Sequence, residues 1–289
     1  MPKIDRAIKL PMNKGGGLAE GLSHEQKFVP WLGELLDPDQ ISLVETFVSI
    51  QGEGECIGIR SLFIRTSQCN LRCSWCDTKY SFVPTPGAKH GLDEGHHIRT
   101  IDDIIDETKR ERVTHVVLTG GEPTVQPYFV DLVLALKSIN IHLTVETNGT
   151  ILHPEVLHLV DLWSIAPKLN DGSNMTYDAE VMDAYLRAYD SKRTNVQIKW
   201  VSTTDKDLEE AFSILHTWRF AHNTDLPPIW FHPNGMVDDE IYPLGCKWLA
   251  EAVLAKLASE PAHSDLEKRF LIKVGLQYHR LIWGHTLGT

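Results

Sequence analysis

Three cysteines lie close together in the segment Cys69-Asn-Leu-Arg-Cys73-Ser-Trp-Cys76. Thiolates at this CxxxCxxC spacing can wrap one inorganic centre from a single loop. A structural zinc site closes with four ligands, usually as two CxxC pairs, and the common four-cysteine ferredoxin spacings do not match either. Cys56 lies upstream and Cys246 is remote. Three thiolates on a four-iron cluster would leave one iron open for a substrate or cofactor.

A zinc knuckle is the alternative chemistry for this cysteine loop. Its fourth ligand would come from one of the histidines that follow it, His90, His96 or His97. Otherwise we interpret these histidines as solvated residues of an inserted loop, residues 83–99, that is rich in Pro, Gly and His.

The composition of the chain restricts the classes of molecule that it is expected to bind. The 289 residues include 28 Lys+Arg and 39 Asp+Glu, a net charge of −11, whereas nucleic-acid binders rely on basic patches. No stretch reaches the ~20 consecutive apolar residues of a membrane span, and the N-terminus lacks a signal-peptide core. The odd count of five cysteines, three of them within eight residues, favours metal or redox chemistry in a reducing compartment over a disulfide framework. We predict a cytoplasmic protein with a small-molecule or protein partner, and neither a nucleic-acid nor a membrane partner.

The elements that must position the cysteine loop alternate between strands and helices. The predicted strands are residues 41–50, 61–66, 115–118, 142–145, 162–166, 196–201 and 229–231. The predicted helices are residues 100–111, with Thr100 as N-cap, 130–139, 154–160, 178–189, 205–217 and 238–259, followed by a short apolar run and an aromatic helix within 269–283. This alternation predicts an α/β fold with a parallel sheet and right-handed crossovers. The pattern alone leaves open a doubly wound sheet or a partial barrel.

The cysteine loop resembles that of the radical S-adenosylmethionine (SAM) superfamily. Thr119-Gly120-Gly121-Glu122-Pro123, which closes the next strand, is similar to the GGEP segment of that superfamily. Its glycines let the backbone approach a cofactor closely, and its Glu offers a charged acceptor to the cofactor's ammonium group. The resemblance implies a [4Fe–4S] cluster and SAM as cofactors. It also implies a partial (βα)6 TIM-like barrel as the catalytic domain, residues 41–289, behind a partly irregular N-terminal extension, residues 1–40.

Within this superfamily, the chain resembles the 7-carboxy-7-deazaguanine synthase family. The segments that carry the resemblance are SIQGEG at 49–54, FIR at 63–65, CDT at 76–78, ETNG at 146–149, APK at 166–168 and LQYHRL at 276–281. It implies a homodimeric lyase that contracts 6-carboxy-5,6,7,8-tetrahydropterin to 7-carboxy-7-deazaguanine, with loss of ammonia, in queuosine and 7-deazapurine biosynthesis. Mg²⁺ and a reductant such as flavodoxin or ferredoxin would assist.

The resemblance also implies roles for individual residues. Cys69, Cys73 and Cys76 would bind the cluster, and Thr78 would bind Mg²⁺. The implied substrate-binding residues are Ile50, Gln51, Gly52, Glu53, Arg65, Thr119, Gln277 and His279, with Glu146 and His279 as catalytic groups. The implied cofactor-binding residues are Trp75, Cys76, Asp77, Gly121, Glu122, Asn148, Ala166, Pro167, Lys168, His232, Pro233, Asn234 and Gly235. Arg65 would hold the substrate carboxylate, because a planar guanidinium fits two oxygens.

Three positions depart from the family pattern. Gln68 precedes the first cluster cysteine where glycine is usual, so the start of the loop could differ. Ala166 replaces a serine and leaves only its backbone to a cofactor. His232 replaces a glutamine and could titrate near neutrality.

Two other functions stay open at this point. One is a radical SAM activase that abstracts hydrogen from a glycyl residue of a partner protein; such enzymes share the cysteine triplet but lack the QGEG and CDT segments. The other is a non-enzymatic iron–sulfur or zinc protein, which would bind metal without cleaving SAM.

Overall fold

The computed structural model describes residues 36–73, 75–82, 96–169, 178–222, 226–261, 266 and 270–284. Within these residues the strands are β1 (Gln40–Ile50), β2 (Arg60–Thr66), β3 (His97–Thr100), β4 (His115–Gly120), β5 (His142–Thr147), β6 (Leu162–Ile165), β7 (Val196–Ser202), β8 (Ile229–Pro233) and β9 (Ile272–Val274). They form one sheet in the order β3-β1-β2-β4-β5-β6-β7-β8-β9.

The sheet is a partial barrel. The strands β2, β4, β5, β6, β7 and β8 are parallel neighbours, and β9 adds a short parallel strand at one edge. At the other edge β1 runs antiparallel to both β2 and β3. Because β3 and β9 are not paired with each other, the barrel stays open. The predicted α/β fold with a partial (βα)6 barrel is confirmed.

The helices are α1 (Ile101–Glu111), α2 (Phe129–Ser138), α3 (Ala179–Asp190), α4 (Asp205–Ala221), α5 (Tyr242–Ser259) and α6 (Tyr278–Trp283). Polar side chains fix where several of them begin. Thr100 accepts a hydrogen bond from the Asp103 N–H at the start of α1, as predicted. Asp178 caps α3 in the same way, and Thr204 with Asp207 forms a capping box on α4. Each cap satisfies N–H groups that have no partner inside the helix.

The predicted helix at residues 154–160 is wrong. The Val156 N–H donates to His153 O at 3.2 Å and the Leu159 N–H donates to Val156 O at 3.0 Å, so the segment is a series of turns. Val156 and Val160 are buried and fix the segment between β5 and β6. A helix of seven residues would form few hydrogen bonds, too few to offset the free-energy cost of helix nucleation. The burial of its side chains therefore determines the conformation of this segment.

Several other boundaries differ from prediction; helix α4, for example, ends at Ala221 rather than at residue 217. Helix α5 begins at Tyr242 rather than at residue 238, because Pro243 is favourable in the first turn of a helix and unfavourable inside one. Of the predicted loop 83–99, residues 97–99 belong to β3 (His97–Thr100), which pairs with β1. Residues 83–95 of the loop lie outside the described residues, as do residues 1–35 of the predicted extension.

The two faces of the sheet differ in polarity. Ile64 and Val116 belong to a large buried apolar cluster that includes residues of the helices. Since successive strand residues point to opposite faces, the alternate positions form the barrel interior, where Ser61, His115 and Thr144 are joined by hydrogen bonds. Burying a large apolar side chain contributes ~1.5–3 kcal/mol, so the outer face stabilises the fold and the interior is available for polar groups.

The β1–β2 turn (residues 51–59) reaches across the barrel. The Gln51 N–H donates to Ile59 O at 2.8 Å, which closes the turn. The Glu55 N–H donates to Gln197 Oε1 on β7 at 2.8 Å. The Glu55 carboxylate accepts from Trp230 Nε1 on β8 at 3.0 Å. The turn is therefore anchored to strands on the far side of the sheet.

Candidate active site

A cavity of about 320 Å³ opens where the parallel strands end. It is lined by Arg65 on β2, Thr119 on β4, Glu146 on β5, Lys199 on β7 and His232 on β8. The carboxyl ends of parallel barrel strands meet at one face, where (βα) barrels carry their active sites. All of the residues that the sequence predicted for the site line this cavity except Pro233, which ends β8.

Cys69, Cys73 and Cys76 lie together on one wall of the cavity. Leu71 and Phe82 pack against them. The other two cysteines of the chain, Cys56 and Cys246, do not line the cavity. The donor set is therefore three thiols, which fits a [4Fe–4S] cluster that keeps one iron without a protein ligand.

The Cys69 thiol is protonated unless a cation holds it. Burial, with the nearby Glu122 carboxylate, raises the pKa of Cys69 to about 12. A metal centre binds the thiolate and not the thiol, so the buried position suits a cysteine whose charge is neutralised by iron.

The zinc-knuckle alternative gains no support from the described histidines of the 83–99 segment. His96 Nε2 bonds to Tyr80 O at 3.0 Å, and His97 is an exposed residue of β3. Neither lines the cavity. His90 lies outside the described residues.

Backbone contacts join the cysteine loop to the GGEP segment. Gln68 has a φ of +69°, the left-handed conformation that glycine adopts freely. Glutamine therefore occupies a backbone conformation at this position that favours glycine. Gln68 O accepts from the Glu122 N–H at 2.8 Å. A Cβ on Gly121 would lie 2.2 Å from Gln68 O, so only glycine allows this approach.

The Glu122 carboxylate is fully buried and holds two strand ends together. Its Oε1 accepts from the hydroxyls of Thr124 and Thr147 at 2.6 and 2.7 Å, and its Oε2 accepts from the Asn148 N–H at 2.6 Å. Burial outweighs these bonds and raises the pKa of Glu122 above its usual range. The Glu122 carboxylate thus links the segment after β4 to the end of β5 at the cavity wall.

Three charged side chains of the cavity lining contact one another. Lys199 Nζ donates to Glu53 Oε2 at 2.9 Å and to Glu146 Oε1 at 3.0 Å. Thr119 Oγ1 also donates to Glu146, at 2.9 Å, and Gln277 Nε2 donates to Glu53 at 2.7 Å. We call Glu53, Glu146 and Lys199 the charge cluster. Two carboxylates and one ammonium give it a net charge of −1, which suits a ligand rich in N–H donors.

The charge cluster keeps its members ionised. Burial opposes the charge of Glu53 and of Glu146, but the Lys199 ammonium outweighs it, and the pKa of each carboxyl is held below its usual range. Burial likewise opposes the charge of Lys199, and the two carboxylates raise its pKa above the ordinary value.

Sequence reasoning missed Lys199. The signal was present, because this lysine is the single charge within the otherwise uncharged strand β7, VQIKWVS. Buried lysines are rare unless paired, so a charge in such a strand indicates a partner.

Arg65 is half-buried and faces the cavity. Its Nε donates to Glu45 Oε1 at 2.8 Å, and its guanidinium lies 5.8 Å from the centre of the Phe47 ring. The bond to Glu45 uses Nε, so the two terminal nitrogens are left to bind an anion.

The C-terminal segment supplies polar groups to the opposite wall. His232 is buried, and neither of its ring nitrogens has a partner among the described residues; the same is true of Gln277 Oε1. Burial lowers the pKa of His232 to about 4, so the expectation that it titrates near neutrality is wrong. His279 packs on Gly52, where a Cβ would lie 2.4 Å from His279 Nδ1. These unpaired buried atoms point to a ligand.

The remaining predicted cofactor residues lie beside the cysteine loop. Asn148 Nδ2 donates to Asn70 Oδ1 at 2.9 Å, and the Lys168 ammonium lies 5.2 Å from the centre of the Trp75 ring. Thr78 Oγ1 lies 3.6 Å from Cys76 Sγ.

Comparisons with known proteins agree with this geometry. Residues 63–162 match the Radical SAM superfamily. The 7-carboxy-7-deazaguanine synthase of Halobacterium salinarum is 36% identical over 203 residues, which cover 65% of this chain and 74% of that protein. The 7-carboxy-7-deazaguanine synthase of Bacillus subtilis is 28% identical over 256 residues, 86% of this chain and 98% of that protein.

A solved structure shares the fold. The crystal structure of QueE from Escherichia coli matches 83% of this chain and 95% of its own, with a TM-score of 0.59 at 23% identity. The cysteine loop, the cavity at the strand ends and the extent of the match to curated relatives lead to one conclusion: this chain belongs to the 7-carboxy-7-deazaguanine synthase family of radical SAM enzymes.

Proposed function

We propose that the chain converts 6-carboxy-5,6,7,8-tetrahydropterin to 7-carboxy-7-deazaguanine, with loss of ammonia, in queuosine and 7-deazapurine biosynthesis. The observation that carries the proposal is that the three thiols, Arg65 and the charge cluster all face one cavity. A reducible cofactor site and a site for a carboxylated, N–H-rich ring are thus adjacent.

The chain is a radical SAM enzyme, and the cofactors are a [4Fe–4S] cluster and SAM. When bound, they supply a one-electron cleavage of the sulfonium and with it a radical that abstracts hydrogen. Cys69, Cys73 and Cys76 would hold the cluster. The loop segment from Trp75 to Asp77, with Gly121, Glu122 and Asn148, would bind SAM beside it.

A second group of cofactor contacts would come from the ends of β6 and β8. Ala166, Pro167 and Lys168 follow β6, and the segment 232–235, with His232, Pro233, Asn234 and Gly235, ends β8. All but Pro233 line the cavity. Their position around the strand ends would keep water from the reacting atoms, which radical chemistry requires.

Substrate recognition would use opposite charges. The free guanidinium nitrogens of Arg65 would take the pterin carboxylate, and the charge cluster would accept N–H groups of the ring. Ile50, Gln51, Gly52 and Gln277 surround the cluster and would bind the ring edge through backbone and amide groups, with Thr119 as a further contact. Glu146 is the proton-transfer group, kept as a carboxylate by Lys199, and His279 is the second group that can exchange a proton.

Mg²⁺ would bind through Thr78 and the substrate. A hydroxyl is a weak ligand, but Mg²⁺ commonly keeps water and substrate oxygens around few protein groups. Removal of Mg²⁺ with a chelator should lower product formation in the wild type, and the Thr78→Val variant should need more Mg²⁺ for half-maximal rate. Equal Mg²⁺ requirements in the two proteins would contradict this role.

The remaining partners are a flavodoxin- or ferredoxin-type reductant and a second copy of the chain. Exposed apolar side chains on α5 and α6, among them Leu244, Leu254, Leu281 and Ile282, support a homodimer. None of the five cysteines, all of which lie in the described residues, forms a disulfide, and this supports a reducing, cytoplasmic location. In the part of the chain that the structure describes, none of the helices has the length and hydrophobicity that a membrane span needs. The N-terminal residues 1–40 would form an extension of the catalytic domain 41–289.

The deciding experiment is turnover under anaerobic conditions. The protein is loaded with iron and sulfide, reduced with dithionite, and mixed with SAM, Mg²⁺ and the carboxytetrahydropterin. We expect 7-carboxy-7-deazaguanine by mass spectrometry, with SAM regenerated in each cycle. If SAM is cleaved but the pterin is untouched, and a glycyl radical forms on a partner protein, the chain is an activase. Metal binding without SAM cleavage would make it a non-enzymatic metal protein.

A further inference from the structure

A second group of metal-binding side chains lies outside the cavity. Cys56, His115 and His142 each offer one ligand atom, and these atoms lie within 4.8 Å of one another. Cys56 comes from the β1–β2 turn, whereas His115 and His142 begin the parallel strands β4 and β5 and pair with each other in register. The group is therefore at the opposite end of the strands from the active-site cavity, and none of its members lines that cavity.

Hydrogen bonds show which nitrogen of His115 can bind a metal. Ser61 Oγ donates to Ile59 O at 2.9 Å, so it must accept from His115 Nδ1, at 2.7 Å. In neutral His115 the proton is then on Nδ1 and the lone pair is on Nε2. Nε2 accepts from Thr144 Oγ1 at 2.8 Å, and the same hydroxyl lies 3.9 Å from Cys56 Sγ. The lone pair therefore points to the side where the thiol lies.

The surroundings match those of a bound metal. A histidine ligand usually donates its second N–H to a fixed acceptor, which is the role of Ser61 here. The rings of His115 and His142 lie 5.0 Å apart at an angle of 67°, as two rings on one ion can. His142 is exposed and gives solvent access to the buried members.

We propose that Cys56, His115 and His142 bind a zinc ion, with Thr144 or a water as the fourth ligand. One thiolate and two imidazoles form a donor set that Zn²⁺ prefers. The ion would tie the β1–β2 turn to β4 and β5. Glu53 of the charge cluster lies three residues before Cys56 on this turn. The zinc ion thus has a structural role. Bound at the end of the strands opposite the cavity, it fixes the β1–β2 turn and thereby positions Glu53.

The test uses the protein with its iron–sulfur cluster in place, so that iron occupies the three loop cysteines. After incubation with Zn²⁺ and desalting, we expect one zinc per chain. Zinc-edge X-ray absorption should show one sulfur at ~2.3 Å and two nitrogens at ~2.0–2.1 Å. His142→Asn and Cys56→Ser should lose the retained zinc, and Ser61→Ala should weaken its binding by about 10–100-fold.

His158→Asn is the matched control, because His158 is an exposed histidine away from this group. It should keep the zinc, and added Zn²⁺ should raise the Tm of the wild type and of this control but not of His142→Asn. The proposal is overturned if the wild type keeps no zinc, if His142→Asn keeps as much as the wild type, or if the zinc is bound by three sulfurs. None of these measurements involves turnover, so their outcome is independent of the proposed reaction.

Discussion

The cysteine loop and the charge cluster face the same cavity but are built differently. The three thiols lie within one short loop, so their spacing, together with the resemblance of the loop to that of radical SAM enzymes, indicates the cofactor. Glu53 and Lys199 are 146 positions apart, and the cluster draws on a turn and on two strands, β5 and β7. A motif thus reveals what the cofactor is, while the groups that act on the substrate are brought together only by the barrel.

The two regions also differ in how their negative charges are neutralised. The buried Cys69 thiol needs an external cation to ionise. The charge cluster contains its own counter-ion, since Lys199 stabilises both carboxylates. Loss of one cluster cysteine should therefore end the cofactor chemistry. Loss of Lys199 should instead leave the carboxylates of Glu53 and Glu146 without their counter-ion.

Cys73→Ala should have the largest effect. Two thiolates cannot hold the cluster that cleaves SAM, so formation of 5′-deoxyadenosine under dithionite should fall to background. Cys246→Ala, which alters a cysteine of α5 outside the cavity, should cleave SAM as the wild type does. Undiminished cleavage by the Cys73 variant would remove the loop from the mechanism.

Lys199→Met tests the charge cluster. It leaves two neighbouring carboxylates without their counter-ion, and breaking a buried ion pair in this way costs about 3–5 kcal/mol of unfolding free energy. The pKa values of Glu53 and Glu146 should rise, and the pH profile of product formation should shift to higher pH.

Lys247→Met serves as the control for that variant. Lys247 forms an exposed pair with Glu251 at 3.8 Å, and such pairs contribute at most about 1 kcal/mol. Equal stabilities and identical pH profiles of the two variants would show that the charge cluster has no special role.

His232 should make the protein sensitive to mild acid. Its pKa falls from the ordinary 6.5 to about 4 because the ring is buried. Between these pH values the unfolded chain binds a proton that the folded chain does not, so the unfolding free energy decreases as the pH falls from 6.5 to 4. At 1.36 kcal/mol per pKa unit, the loss is about 3 kcal/mol.

His232→Gln, which restores the residue usual in the family, should flatten this part of the stability profile. In protein stripped of zinc, His115, whose pKa burial also lowers to about 4, would account for the slope that remains. Denaturant titrations at several pH values measure it, with His158→Gln as the exposed control. A slope that is the same in all three proteins would argue against a buried, neutral His232.

Arg65→Ala should have a smaller effect, confined to substrate binding. A hydrogen bond to a charged group contributes about 1.5–3 kcal/mol, so the KM for the pterin should rise about 10–100-fold while SAM cleavage in the absence of substrate persists. Arg60→Ala changes an exposed arginine on the same strand and should leave KM unchanged. An unaltered KM in Arg65→Ala would place the substrate carboxylate elsewhere.

The sequence by itself determined the order of most elements, and its motifs, through their resemblance to a known family, also indicated the cofactors and most of the cavity wall. These features depend on local signals, such as the spacing of Cys69, Cys73 and Cys76, the apolar strands and the Thr100 cap. Such signals involve only a few neighbouring residues, so they can be recognised without knowledge of the tertiary structure. Residues 154–160 show the limit, because burial between two strands, rather than local propensity, gives them turns instead of a helix.

The tertiary structure alone decided the electrostatics. The pairing of Lys199 with Glu53 and Glu146, the neutral state of His232, and the meeting of Cys56 with His115 and His142 all depend on the strand register and on the path of the β1–β2 turn. The physical reason is that charge, burial and ligand geometry depend on distances in space, and distant positions along the chain acquire those distances only when the sheet curves into a barrel.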